Sequence, residues 1–206
     1  MLRAGAGQII RPINGVDQMI LLSLGVFLWA ATHLFVSIGR EARAGVIGKV
    51  GLGPYKGLFS LTLVVALVLI VWGWKTSLPT ALWLPPAGMR HATMTLMPFA
   101  VILFLSARAP TDLKRLIRHP QLTGVKLWAV AHLLSNGETR SVILFGGLLA
   151  WAVLEVIFIN RRDGAWVKPA PVGGLKTTIS ALIGLLVTGL LLWGHPWFTG
   201  MPVIAR

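Results

Sequence analysis

Apolar residues fall along this chain in long runs rather than in an alternating or heptad pattern. Six such runs can be placed, at roughly 18–38, 57–75, 90–107, 121–135, 141–159 and 175–195. A helix rises about 1.5 Å per residue and must cross about 30 Å of hydrocarbon, so runs of this length predict transmembrane helices. Helix-breaking residues punctuate the connections, with Pro54, Pro85-Pro86 and Pro110 between runs. Pro120 suits the first turn of the fourth helix, where its missing N–H costs nothing. Asn136-Gly137 predicts a tight turn, and hence an antiparallel hairpin of the fourth and fifth helices. The fourth run is short for a bilayer. Either it extends N-terminally through Lys114–His119, or its Asn-Gly turn sits below the membrane surface.

Composition agrees with the pattern. Of 206 residues 55% are hydrophobic and only 12% charged, with a mean hydropathy of +0.77. The expected fold is all-α: a polytopic integral membrane protein of about six transmembrane helices, forming a single transmembrane domain over 1–206, with the lipid bilayer as its main partner. The polar leader through Asp17 and the length of the run after it do not suit a cleaved signal peptide. That run is expected to be the first span.

Nineteen Lys and Arg against six Asp and Glu give a net charge of +13. In a soluble chain this would suggest nucleic acid. Here the cations sit in short loops beside apolar runs, which excludes that class in favour of membrane orientation. Twelve of them fall in three alternate connections: Arg40, Arg43, Lys49 and Lys56; Arg108, Lys114, Arg115 and Arg118; Arg161, Arg162, Lys168 and Lys176. The other side carries Arg3, Arg11, Lys75, Arg90, Arg140 and Arg206. The positive-inside rule puts the twelve in the cytoplasm and both termini outside. With no cysteine, disulfides, thiolate metal sites and Fe–S clusters are excluded.

One internal echo stands out from the apolar background. Gly25-Val26-Phe27-Leu28-Trp29-Ala30-Ala31-Thr32-His33-Leu34-Phe35 matches Gly124-Val125-Lys126-Leu127-Trp128-Ala129-Val130-Ala131-His132-Leu133-Leu134 at seven of eleven positions. The spacing Gly-x3-Trp-x3-His puts all three residues on one helical face. The two segments lie three spans apart and run in opposite directions, which is the signature of an inverted 3+3 repeat. The likeness does not extend to the second and fifth or the third and sixth helices. An imidazole inside lipid needs a reason. Two on matched faces suggest a shared metal or haem iron, with His33 and His132 as ligands and Trp29 and Trp128 walling a flat cofactor. Plain core packing is the simpler account of the two tryptophans.

The helical rise sets His33 and His132 about 10 Å or more apart in depth. One haem between them would have to tilt, or the fourth helix would have to sink. The alternative groups His132 with His91 on the outer side. His119 and His195 each precede a proline near a helix boundary and read as interfacial residues. Lys126 and Glu155 fall at similar depth on hairpin partners, so an ion pair is expected between them. No phosphate-binding loop, nucleophile elbow, zinc-protease motif or carboxylate pair is present.

Arg118-His119-Pro120-Gln121-Leu122-Thr123-Gly124-Val125-Lys126-Leu127-Trp128-Ala129-Val130-Ala131-His132-Leu133-Leu134-Ser135-Asn136-Gly137 resembles the signature of the NnrU family. Pro54-Tyr55-Lys56-Gly57-Leu58-Phe59-Ser60, the His33 region, Arg90-His91, and Trp151-Ala152-Val153 followed by Glu155 and Arg161-Arg162 fit it too. The resemblance implies a multi-pass bacterial inner-membrane protein associated with nitrite and nitric oxide metabolism (denitrification). The same family includes 15-cis-zeta-carotene isomerases, which use haem b to isomerise a membrane polyene, and whose haem histidines correspond to His33 and His132. That branch carries a cysteine where this chain has Ala129, so the resemblance implies haem b more strongly than isomerisation. Three functions follow as expectations: a haem b protein of the denitrification-associated type, an isomerase acting on an apolar membrane substrate, and a transporter or membrane assembly factor.

Overall fold

The structure is a computed structural model and describes residues 15–201 and 203. Arg3, Arg11 and Arg206 of the charge count lie outside the described residues. Among the described residues seven helices follow one another: α1 (Gly15–Ile38), α2 (Arg40–Val50), α3 (Leu52–Thr76), α4 (Met89–Ser106), α5 (Pro120–Ser135), α6 (Thr139–Asp163) and α7 (Gly174–Thr199). A short 3-10 turn, Asp112–Arg115, precedes α5. Among the described residues the only β pairing is a single bridge between Ala81 and Glu138.

Five helices, α1, α3, α4, α6 and α7, are long and apolar enough to cross a membrane. The sixth, α5, has 16 residues and spans about 24 Å. The fourth apolar run is therefore short in the structure as well. Pro120 opens it as expected, because His119 before a proline is held out of helical geometry (φ −123°, ψ 69°). Helix α2 is a departure from the sequence reading, which treated 39–56 as a loop. It carries Arg40, Glu41, Arg43 and Lys49 and has no buried residue, so its composition resembled a loop.

Contacts join the spans in the order α3–α1–α6–α5–α4–α7. Most of the large apolar side chains point away from this row. Phe27, Leu84, Leu186 and Trp193 are all at least 65% exposed. In water such a surface would be an aggregation site, whereas in hydrocarbon it is solvated. The chain is thus a polytopic, all-helical membrane protein.

The row is held by close backbone approach. A Cβ on Gly25 of α1 would lie 2.8 Å from the Ile70 nitrogen and 2.9 Å from the Ala66 carbonyl of α3. A Cβ on Gly124 of α5 would lie 2.6 Å from the Ala100 carbonyl and 2.7 Å from the Phe104 nitrogen of α4. The two echoed glycines therefore play one part, each letting its helix seat on two residues four apart in a neighbour. The echo is a repeated helix–helix contact. The chain order does not follow it throughout, since α7 packs on α4 rather than on α1.

Away from the basic loops, residues 77–88 dock on the turn between α5 and α6. Gly137 accepts from the Leu82 and Trp83 nitrogens (2.7 and 3.2 Å), and Thr139 N–H donates to the Thr80 carbonyl (2.9 Å). A side chain at 137 would collide with the Trp83 carbonyl, which is why the turn needs glycine. Arg140 stands over the Trp74 ring at 4.5 Å and pairs with Glu138 at 2.9 Å. Just beyond, Val142–Gly146 adopt π-helical geometry. A wider turn shifts the phase of everything after it, and such segments concentrate at functional sites.

Candidate functional site

On α1, Trp29, His33 and Ser37 recur every fourth residue and turn one face toward α6. His33 Nδ1 lies 2.9 Å from the Trp29 carbonyl oxygen. A carbonyl can only accept, so this contact requires the proton on Nδ1, and in the neutral tautomer Nε2 is then the bare nitrogen. The ring is enclosed by Trp29 (centroids 4.6 Å), Trp151 (4.9 Å) and Phe59 (5.9 Å).

The arrangement repeats on α5. His132 Nδ1 lies 2.9 Å from the Trp128 carbonyl oxygen. Trp128 stands at 5.0 Å and Phe145 stacks on the imidazole at 4.4 Å and 25°. Phe145 belongs to the π-helical segment, so the altered phase of α6 there delivers this ring to His132. Asn136 Nδ2 donates to the His132 carbonyl (2.8 Å) and closes the helix above it. Thr93 of α4 donates to the Ala131 carbonyl (2.6 Å), tying the same turn to the neighbouring span.

Both echoed histidines thus face α6, each in an aromatic cage with Nε2 free of any hydrogen bond among the described residues. They meet α6 at different levels. His33 touches Trp151 and His132 touches Phe145, six positions apart, or about 9 Å along the axis. The depth offset read from the sequence is therefore present in the packing. Among the described residues, no group of three or more His, Cys, Asp or Glu side chains is disposed to hold a bare metal ion.

The remaining histidines separate from these two. His91 is exposed at the start of α4. His119 Nε2 lies 2.8 Å from Asn160 Oδ1, joining the start of α5 to the end of α6. His195 Nδ1 lies 2.9 Å from the Met201 carbonyl oxygen near the end of α7.

Glu155 corrects another expectation. It is buried between α1 and α6, and its Oε1 accepts a hydrogen bond from the Ser37 hydroxyl. No ion pair joins it to Lys126. The phase of α6 directs Glu155 at α1, the neighbour that the sequence reading did not consider. Among the described residues its other oxygen, Oε2, has no partner, and neither have the indole nitrogens of Trp29 and Trp151 beside His33. Two N–H donors are thus left over beside the His33 ring and a carboxyl oxygen one turn along the same α1–α6 seam.

Sequence reasoning missed Trp151, Phe145, Phe59 and Ser37. The signal for Trp151 was available, since Trp151 and Glu155 repeat the four-residue spacing of Trp29 and His33. Phe145 carried none, because its position depends on the π-helical phase.

No curated protein and no solved structure matches this chain. The family described as NnrU protein matches residues 21–203, a stretch that takes in both histidine cages, the α5–α6 turn and the basic connections. The chain therefore belongs to the NnrU family.

Proposed function

We propose that this chain is a haem b protein of the bacterial inner membrane, with the imidazoles of His33 and His132 as iron ligands, acting in nitrite and nitric oxide metabolism. The observation that carries the reading is the duplicated imidazole geometry. Each Nδ1 is tied to a carbonyl one turn back, and each Nε2 is left without a partner. That outer bond fixes the tautomer and the ring plane and strengthens the free nitrogen as a ligand. The donor set fits as well. Two imidazoles are too few for a bare zinc ion but suit haem iron, provided that the group held between them bridges the offset of about 9 Å at which they meet α6.

When bound between His33 and His132, haem would supply a one-electron couple and an iron centre able to take a small ligand. Trp29, Trp128, Trp151 and Phe145 exclude water from the two imidazoles and present flat apolar surfaces. The unpartnered indole N–H groups of Trp29 and Trp151 are available to a polar group near His33. The inner membrane and the periplasmic termini are part of the same reading, supported by the twelve cations in alternate connections. The metabolic role rests on the family resemblance.

The visible spectrum of the protein, purified in mild detergent from haem-replete cells, tests the ligand assignment. The wild type is expected to show a Soret band with sharp low-spin bands. His33→Ala or His132→Ala should lose haem or convert it to a high-spin form, and His119→Ala should leave the spectrum unchanged. His91 is the reserve ligand, and retention of the low-spin spectrum by His132→Ala with loss in His91→Ala would reassign the pair. An unchanged low-spin spectrum in the His33→Ala, His132→Ala double variant overturns the assignment.

A further inference from the structure

A groove of about 350 Å³ runs between α1, α2 and α3, lined mainly by Thr32, Phe35, Val46, Tyr55, Phe59 and Thr62. Its two threonines are nominally polar, but their hydroxyls turn away. Thr32 donates to the Leu28 carbonyl (2.6 Å) and Thr62 to the Leu58 carbonyl (2.8 Å), each within its own helix. From Tyr55 to Thr62 the groove follows α3 for seven residues, about 10 Å. Its long wall is therefore hydrocarbon-like.

Its mouth differs. There the Tyr55 hydroxyl accepts from Arg43 Nε (3.2 Å), and the guanidinium carbon stands 5.3 Å from the Tyr55 ring centroid. Tyr55 is the only tyrosine in the chain and is buried. The hydrogen bond and the cation–π contact hold Arg43 against Tyr55, the lining residue at this end of the groove. Its terminal Nη atoms form no hydrogen bond or ion pair among the described residues. Arg40, Lys49 and Lys56 stand exposed nearby, with Glu41 as the one acid on α2. A cation fixed at one end of an apolar slot complements one chemical class, an amphiphile with an anionic head and a hydrocarbon tail.

We propose that this groove is a resident site for an anionic phospholipid from the leaflet on the basic side of the bundle, with one acyl chain between Phe35, Phe59 and Thr62 and the phosphate on Arg43. The groove is not the surface that every span offers to lipid. The apolar patch of Leu67, Val71, Trp72 and Lys75 lies on α3 alone, with no second helix to enclose a chain and no arginine held by a tyrosine. Phe59 also forms one wall of the His33 cage (5.9 Å), so an occupied groove backs that cage against the bilayer. The site does not depend on the haem assignment, and the test below reads lipid alone.

Native mass spectrometry of the full chain, delipidated and then titrated with phosphatidylglycerol or phosphatidylethanolamine, is the test. The wild type should retain phosphatidylglycerol several-fold more than phosphatidylethanolamine. Arg43→Gln should bring the two close to equal. Thr62→Trp, which fills the slot, should lower retention of both, and Val71→Trp on the other patch should change neither. Arg43 lies at the edge of the bundle, so its variant keeps the test decisive if Thr62→Trp does not fold. Equal retention of the two lipids by the wild type, or an Arg43→Gln protein that still prefers phosphatidylglycerol, overturns the proposal. A protein whose groove is filled by a second copy of the chain, seen as a dimer that Thr62→Trp dissolves, overturns it equally.

Discussion

Glu155 has one oxygen bonded to Ser37, one oxygen unbonded, and no cation partner among the described residues. In lipid the alternatives open to a polar side chain are few, so the helix that offers a hydroxyl at the right level decides where the carboxyl goes. Ser37→Ala should therefore destabilise the α1–α6 contact by about 1 kcal/mol, within the range for hydrogen bonds between transmembrane helices. Unfolding of single and double variants in micelles gives the coupling. Ser37→Ala and Glu155→Gln should be non-additive, whereas Lys126→Met and Glu155→Gln should add. Additive losses for the first pair would remove Ser37 as the partner. At this scale the sequence showed His33, His132, Trp29 and Trp128, because Gly, Trp and His are rare enough in an apolar chain for their repetition to register. It did not show Trp151, Phe145 or Ser37 as their neighbours. The Phe145 and Ser37 contacts depend on the rotational phase of α6, for which a helix apolar nearly all round gives little signal, whereas Trp151 was marked by its four-residue spacing from Glu155.

At the scale of elements, the five long spans were legible because the bilayer sets a common length and composition for them, whereas α5, with 16 residues, falls short of it. The α5–α6 turn was legible because Asn-Gly is a turn signal, and the docking of residues 81–83 on Gly137 adds a steric reason for it. Helix α2 was not legible, since charge and glycine in 40–50 resemble a loop when no packed face announces a helix. The echoed glycines carry the next expectation. At Gly25 and Gly124 the atoms in the way belong to the backbone of the facing helix, and these cannot rotate aside. Gly25→Val and Gly124→Val should each cost about 1–3 kcal/mol through overpacking, read as a lower melting temperature in detergent. Gly189 in α7 meets nothing within 4 Å, so Gly189→Ala should leave the melting temperature unchanged or slightly raised. Equal effects at the three positions would mean that the close crossings of α1 with α3 and α5 with α4 do not hold the bundle.

At the scale of the whole molecule, the order α3–α1–α6–α5–α4–α7 could not be read from the chain. Lipid tails are as apolar as leucine, so the faces that meet a neighbour and the faces that meet the bilayer look alike in composition. The sequence does carry an expectation for the direction of each span, because charge is costly to move across a membrane and cheap to leave behind. The structure gathers the three basic connections at one end. Arg118 Nη1 reaches the Gly164 carbonyl (2.8 Å), Asp112 accepts from the Val172 and Gly173 nitrogens (2.8 and 3.2 Å), and Ser180 donates to the Pro110 carbonyl (3.0 Å). These bonds tie the connection before α5 to the one before α7, and the positive-inside rule predicts that this end faces the cytoplasm. Leu84 and Val167 are both 87% exposed and lie at opposite ends. The chain has no cysteine of its own, so one introduced thiol reports cleanly. A membrane-impermeant thiol reagent added to intact cells should label Leu84→Cys, and should label Val167→Cys only after permeabilisation. The reverse result would put the cationic face outside and overturn the positive-inside assignment. Labelling of both positions in intact cells would mean that the chain inserts in two orientations, and that the excess of cations at one end does not decide between them.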